Sequence, residues 1–117
     1  MKIYRIAEDI DAIYYHVTLT SNIASILENG LNPSTPDDME DENGVYMFRS
    51  LDDVHNALMN WLGERYEDRY GEDIDLAILS IDSRGVSNKK FNQSVGYEIM
   101  SYNRIPPEFI RVVETGQ

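Results

Sequence analysis

The chain has 117 residues, enough for about one domain, and it carries 21 acidic and 10 basic residues, a net charge of −11. This charge disfavours direct binding to DNA or RNA, because such affinity comes largely from Lys and Arg that displace counterions from phosphates. The chain contains no Cys, which excludes disulfides and thiolate chemistry. No apolar run approaches the roughly 18–20 residues of a membrane helix. We therefore expect one cytoplasmic domain, residues 1–117, without membrane contact.

The N-terminal third predicts two strands and a helix. Residues 2–6 and 13–19 are rich in aromatic and β-branched side chains, which is typical of strands. Residues 20–31 have helical periodicity, and Thr20 or Ser21 is placed to cap the N-terminus. The apolar face of this helix is predicted to consist of Ile23, Ile26 and Leu27, with Gly30 ending the helix and Leu31 as an apolar contact of the cap.

An acidic, proline-containing segment separates this helix from a second strand and helix. Five of the six residues 37–42 are acidic, which predicts a solvated loop. Residues 44–48 form a short apolar strand. Residues 50–70 predict a helix capped by Ser50, with a buried stripe consisting of Val54, Leu58, Trp61 and Leu62.

The last third predicts strands without a further helix. Residues 76–82 are predicted to be a strand, 84–93 a turn-rich connection, 95–102 a strand and 108–114 a final strand. Strands outnumber helices and both helices come early. The pattern therefore predicts an α+β fold with a mixed or antiparallel sheet on which the two helices pack.

Three segments together resemble the ADP-ribosyltransferase superfamily, in its H-Y-E branch. The first is YYHVT followed by a helix ending in NGL, the second is GVYMF followed by a capped helix, and the third is VGYEIMSYNRIPPEFI. Their order and spacing cover residues 13–114. The resemblance implies a split β-sandwich of two small facing sheets, with a cleft that binds NAD as a substrate.

The resemblance also implies roles for particular side chains. Glu98 is expected to be catalytic, because NAD cleavage passes through an oxocarbenium-like ribose that a carboxylate stabilises. His16 is expected to bond the adenosine ribose, with Thr18 supporting it from the same face, and Tyr46 to stack on nicotinamide. Arg49 is a candidate for binding the NAD pyrophosphate. Val17, where poly-ADP-ribose polymerases have Gly, narrows the pocket.

Structural roles remain open for each of these residues. Glu98 could be a solvent-facing strand residue in an alternation in which Val95, Tyr97 and Ile99 point inward and Gly96, Glu98 and Met100 point outward. His16 could be a satisfied, partly buried histidine and Tyr46 a core aromatic. His55 is interpreted as structural and Trp61 as a core residue. No metal is expected, because His55 lacks the i, i+4 His partner of zinc proteases.

Two functions from different classes follow. The first is an enzyme that transfers ADP-ribose from NAD to a macromolecule, a protein with a basic surface, as a toxin or phage effector would. The alternative is a catalytically degenerate, acidic binding protein of the same fold that inhibits a basic nucleic-acid-handling partner. A domain with neither role is a third possibility. In either of the first two cases, the partner-binding residues are expected to be Asp37, Asp38, Glu40, Asp41 and Glu42.

Overall fold

A computed structural model describes residues 12–33, 44–91 and 99–116 of the chain. Three of the sequence-based expectations lie outside these residues: the strand at 2–6, the acidic residues of loop 37–42, and Glu98. The predicted strand at 95–102 is described only from Ile99 onward.

The first sheet contains the three longest strands and is antiparallel throughout. Its strands are β1 (Ile13–Leu19), β3 (Leu76–Asp82) and β6 (Ile110–Thr115), in the order β1-β3-β6. All three were predicted as strands from the sequence, and the bounds of the first two match residue for residue. Within the sheet, β3 is the central strand, which explains why its residues 76–79 are all buried.

The second sheet is shorter and includes a strand that the sequence did not predict. Its strands are β2 (Val45–Met47), β4 (Lys89–Phe91) and β5 (Ile99–Ser101), in the antiparallel order β2-β5-β4. The prediction of a connection at 84–93 was wrong where β4 forms, because pairing with β5 supplies the hydrogen bonds that local composition does not indicate.

The expected in–out alternation in β5 was also wrong. Ile99, Met100 and Ser101 are all buried. As the central strand of its sheet, β5 is covered on both faces, and the Met100 side chain lies against Gly44. Burial therefore does not alternate along the described part of this strand.

The two sheets share one apolar core and are joined at one edge. Tyr14, Leu79 and Ile81 of the first sheet belong to the same buried cluster as Met47 and Ile99 of the second. Reciprocal backbone hydrogen bonds of 2.7 and 2.8 Å join Tyr15 and Phe48, next to β2. In the described part of the chain the fold is thus α+β with two antiparallel sheets and two helices, as the sequence predicted at this level.

The first helix is shorter than predicted and lacks a side-chain cap. A 3-10 turn, Thr20–Asn22, leads into α1 (Ile23–Asn29), and neither has a side-chain capping bond, so the cap predicted at Thr20 or Ser21 was wrong. Leu27 is also exposed rather than buried. The chain leaves α1 through Gly30, and Leu31 forms an antiparallel bridge with Ile105 in the core.

The second helix runs from Leu51 to Tyr70 and contains one π turn. It consists of α2 (Leu51–Ala57), the π turn (Leu58–Leu62) and α3 (Gly63–Tyr70), and we call the whole the long helix. The Ser50 hydroxyl accepts the Asp53 N–H at 3.1 Å, which confirms the predicted cap. The buried side chains of the long helix are Val54, Ala57, Leu62 and Tyr66.

The π turn explains why only two of the four residues predicted to be buried on this helix are buried. Val54 and Leu62 are buried as predicted, but Leu58 and Trp61 are only half-buried. A π turn holds one more residue than an α turn, so it rotates the following residues by one position relative to the core. Tyr66 then reaches β1, where its hydroxyl donates to the Val17 carbonyl oxygen at 3.1 Å.

The long helix also contacts the far strand of the first sheet. His55 Nε2 lies 3.1 Å from a Glu114 carboxylate oxygen, so a polar contact joins α2 to β6. Among the described residues, no helix combines the length and apolar character needed to cross a membrane.

Candidate functional site

A pocket opens where β1, α1 and the start of β2 meet. Its volume is about 180 Å³, and it brings together His16, Thr18 and Tyr46, three of the residues that the sequence singled out. The remaining lining comes mainly from the first helix and the segments that flank the undescribed residues: Asn22, Ser25, Ile26, Gly30, Leu31, Asn32, Gly44 and Val45.

His16 is held in place by the strand that carries Tyr46. Its Nδ1 lies 2.7 Å from the Tyr46 carbonyl oxygen. A carbonyl can only accept, so Nδ1 carries the proton, and in the neutral ring Nε2 is the acceptor. The bond joins residues 30 positions apart and fixes the ring at the wall of the pocket.

Thr18 lies two residues further along β1, and therefore on the same face as His16. It is buried, and its hydroxyl accepts a hydrogen bond of 3.4 Å from the Asn22 side-chain amide. Asn22 links the strand to the turn that precedes α1, so the polar wall of the pocket is continuous between the two elements.

Sequence reasoning missed three polar residues of this wall, Asn22, Ser25 and Asn32. Asn22 and Ser25 are three residues apart, a spacing that places side chains on the same face of a helix. This spacing could have been recognised from the sequence, because both residues follow shortly after β1, the strand that carries His16. Asn32 follows the Gly30 turn and had no such signal.

Tyr46 lies between the apolar core and the pocket. It is half-buried and packs against the apolar cluster that includes Val54 and Leu62 of the long helix. It also lines the pocket. In the sheet it pairs with Met100, and its neighbour Met47 pairs with Ile99. Glu98 precedes Ile99 in sequence and lies outside the described residues.

Arg49 does not join the other candidates at the pocket. Its side chain is exposed, and its guanidinium lies 5.1 Å from the centre of the Phe91 ring. Lys89 lies on the same ring, with Nζ 5.8 Å from its centre. None of the described residues that line the pocket is Lys or Arg.

Neither histidine belongs to a metal-binding cluster within residues 12–33, 44–91 and 99–116. No group of three or more His, Cys, Asp or Glu side chains there could hold a metal ion. His55 contacts Glu114 instead, and this pair lies outside the pocket lining.

No model of a known protein family matches this sequence, and no curated protein matches it significantly. The chemical character of the site therefore has to be inferred from the side chains that surround the pocket.

Proposed function

We propose that the protein is an NAD-dependent ADP-ribosyltransferase with a split β-sandwich, acting on a macromolecular target, most simply a protein. The observation that carries this proposal is the convergence of His16, Thr18 and Tyr46 on one pocket. His16 and Thr18 come from β1 and Tyr46 from β2, and these are the residues to which the family resemblance assigns NAD binding.

The size of the pocket suits one ring of NAD. A cavity of about 150 Å³ accommodates benzene, and this pocket has about 180 Å³. We therefore assign it to the nicotinamide end, with the rest of the dinucleotide extending outward. We assign the Tyr46 ring to stack on nicotinamide, which is flat and electron-poor. His16 and Thr18 supply hydrogen-bonding groups on the β1 side, so in this proposal His16 contacts the nicotinamide end of NAD and not the adenosine ribose that the resemblance implied.

The proposed reaction breaks the bond between the nicotinamide nitrogen and ribose C1′, and the electron pair leaves with nicotinamide. Positive charge develops on the ribose, and we assign Glu98 to stabilise it. An acceptor nucleophile then attacks C1′ and loses its proton. Ile99, which follows Glu98, pairs with Met47 next to Tyr46.

The test is release of nicotinamide from NAD, with and without a basic protein as acceptor, together with direct measurement of NAD binding. Glu98→Gln should lower the rate by roughly 100-fold or more while NAD still binds, because loss of one electrostatic stabiliser typically costs 10²–10³-fold. Tyr46→Ala and His16→Ala should weaken NAD binding. His55→Ala and Tyr70→Ala are controls of the same residue types outside the pocket, and both should behave as wild type.

A second candidate is the catalytically degenerate, acidic binding protein. It is favoured by the absence of Lys and Arg from the described pocket lining, because the NAD pyrophosphate is an anion that a cation would hold. In this case the protein captures a basic nucleic-acid-handling partner, and neither NAD binding nor nicotinamide release is detectable. If the wild-type protein both binds NAD and releases nicotinamide from it, this candidate is ruled out.

A further inference from the structure

A second cavity lies along the long helix, away from the residues of the NAD pocket. It is a groove of about 620 Å³ between the helix and the segment that leads into β3. We call it the helix groove. Its side chains are Leu58, Met59, Glu64, Glu67, Ile74 and Leu76, and Gly63 lies between Met59 and Glu67 along the helix.

The helix groove presents apolar surface to solvent. Met59 is 85% exposed, the most exposed large apolar side chain among the described residues. Leu58 and Ile74 are half-buried beside it, and Leu76 is buried at the floor. A flexible thioether next to a shallow apolar floor is a surface that adapts to different partner side chains.

The charge of the helix groove is entirely negative. Among the described residues that line it, Glu64 and Glu67 are the only ionisable ones. The two basic residues of α3 lie over rings that are not part of the groove: Arg65 over Trp61 and Arg69 over Tyr70. The segment between α3 and β3 adds three more acids, Glu72, Asp73 and Asp75.

We propose that the helix groove binds a basic segment of a partner protein. One apolar side chain of the segment packs between Met59 and Ile74, and flanking Lys or Arg residues pair with Glu64 and Glu67. Charge complementarity selects this occupant, because an acidic or neutral segment would gain only the apolar contact.

The helix groove and the NAD pocket lie at the same end of the first sheet. Leu76 of the groove pairs with Leu19, which is adjacent to Thr18 of the pocket. Successive strand residues face opposite sides of a sheet, so the two sites lie on opposite faces. If the proposed transferase function holds, the groove positions the acceptor protein; binding of the segment itself does not depend on that function.

The experiment uses three fluorescein-labelled peptides and fluorescence anisotropy at low salt. The first is a short peptide with a central Leu flanked by Lys and Arg, the second has Ser at the centre, and the third has Glu in place of each basic residue. The first should bind best; the Ser peptide should bind about 3–10-fold more weakly, as expected for loss of one partly buried aliphatic side chain, and the Glu peptide should not bind.

Two variants, each with a matched control, test whether the peptide binds in the helix groove. The double variant Glu64→Gln/Glu67→Gln should weaken binding of the Leu peptide by about 5–10-fold, because each ion pair at a surface contributes modestly. Its control, Glu28→Gln/Glu108→Gln, changes the net charge equally at exposed positions outside the groove. Met59→Ser should weaken binding about 5-fold, and Leu27→Ser, at another exposed apolar side chain, should not.

Three outcomes would overturn the proposal. One is equal weakening by the two charge variants, which would mean non-specific attraction to an acidic protein. Another is equal affinity for the Leu and Ser peptides, and the third is no saturable binding. Circular dichroism checks that every variant is folded. Nicotinamide release without acceptor is measured in parallel and should be unchanged in the groove variants, so failure of the groove and failure of the transferase proposal give different results.

Discussion

Gly30 meets two independent constraints at the edge of the pocket. Its backbone angles, φ 84° and ψ −175°, lie in a region that is essentially restricted to glycine. A Cβ at this position would also overlap the Ile105 carbonyl oxygen, which accepts the Leu31 N–H at 3.0 Å. The turn out of α1, and with it the wall of the pocket, therefore depends on the absence of a side chain.

We expect Gly30→Ala to destabilise the protein more than Gly71→Ala. Gly71 has nearly the same conformation, φ 95° and ψ 170°, but no atom lies within 4 Å of the position of a Cβ. Gly71→Ala should lower the free energy of unfolding by about 1–3 kcal/mol through backbone strain alone. Gly30→Ala should cost about 1–3 kcal/mol more because of the overlap. Urea unfolding measures both, and equal losses would contradict the steric explanation.

Asp82 is the residue with a clearly shifted pKa among the described residues. The Arg84 side chain, and then the Arg84 backbone N–H, hydrogen-bond to its carboxylate and lower its pKa from 3.8 to about 2. The folded-state pKa lies below the unfolded one, so this pair stabilises the fold fully above about pH 4 and loses its contribution as the pH falls towards 2.

We expect Arg84→Gln to raise the pKa of Asp82 towards its usual value. An NMR titration of the Asp82 carboxyl carbon should show the midpoint moving up from about 2 in the wild-type protein. Arg104→Gln is the control, because Arg104 donates to the Asn29 carbonyl oxygen instead. A midpoint near 2 in Arg84→Gln would contradict the assignment of the shift to Arg84.

At the scale of elements, the π turn determines how the long helix packs. It separates Val54 and Ala57 from Leu62 and Tyr66, and all four are buried against the first sheet. A regular α-helix that buried Val54 would direct Trp61 inward more than Leu62. The extra residue in the turn brings Leu62 and Tyr66 to the sheet, and the Tyr66 hydroxyl bonds to β1.

We therefore expect Leu62 to contribute far more to stability than Leu27, which lies on the first helix. Leu62 is completely buried, whereas Leu27 is 44% exposed. Leu62→Ala should lower the free energy of unfolding by about 2–5 kcal/mol, and Leu27→Ala by less than about 1 kcal/mol. Both substitutions place Ala, the best helix former, in a helix, so the difference reports burial. Similar losses in thermal or urea unfolding would show that the long helix is not packed in this way.

At the scale of the whole molecule, the dominant property is the charge of −11. Such a charge attracts basic partners over distances that depend on salt, because exposed charges are screened beyond about 8–10 Å near physiological ionic strength. Five of these acids lie within residues 37–42 and are the ones expected to bind a partner. They lie outside the described residues, and their role stays a prediction.

Changing Asp37, Asp38, Glu40, Asp41 and Glu42 to their amides should slow association with a basic partner more than it speeds dissociation. With poly-L-lysine as the probe, we expect about a 5-fold lower association rate at low salt, and no difference at roughly 1 M salt, where the screening length is about 3 Å. The control neutralises five other acids that lie outside the helix groove: Glu28, Asp52, Asp53, Asp68 and Glu108. Equal slowing by both sets would assign the effect to net charge alone.

The same loop variant also tests a relation to NAD. If the acidic loop borders the donor site, neutralising it should strengthen NAD binding, because fewer negative charges would face the pyrophosphate. Calorimetric titration with NAD measures this change. If neutralisation alters neither NAD affinity nor binding of poly-L-lysine, the acidic run is a solvated connection.

The sequence by itself determined the features of this protein that depend on local pattern. Local composition predicted β1 and β3 to the residue, Ser50 predicted the start of the long helix, and Gly30 predicted the end of the first one. Tertiary structure decided the features that depend on partners distant in sequence. Pairing with β5 made Lys89–Phe91 a strand, burial on both faces removed the alternation at Met100, and the π turn brought Tyr66 to the core. The meeting of Asn22 and Asn32 with His16 and Tyr46 also required the folded chain, because residues far apart in sequence surround one pocket only after the sheets pair.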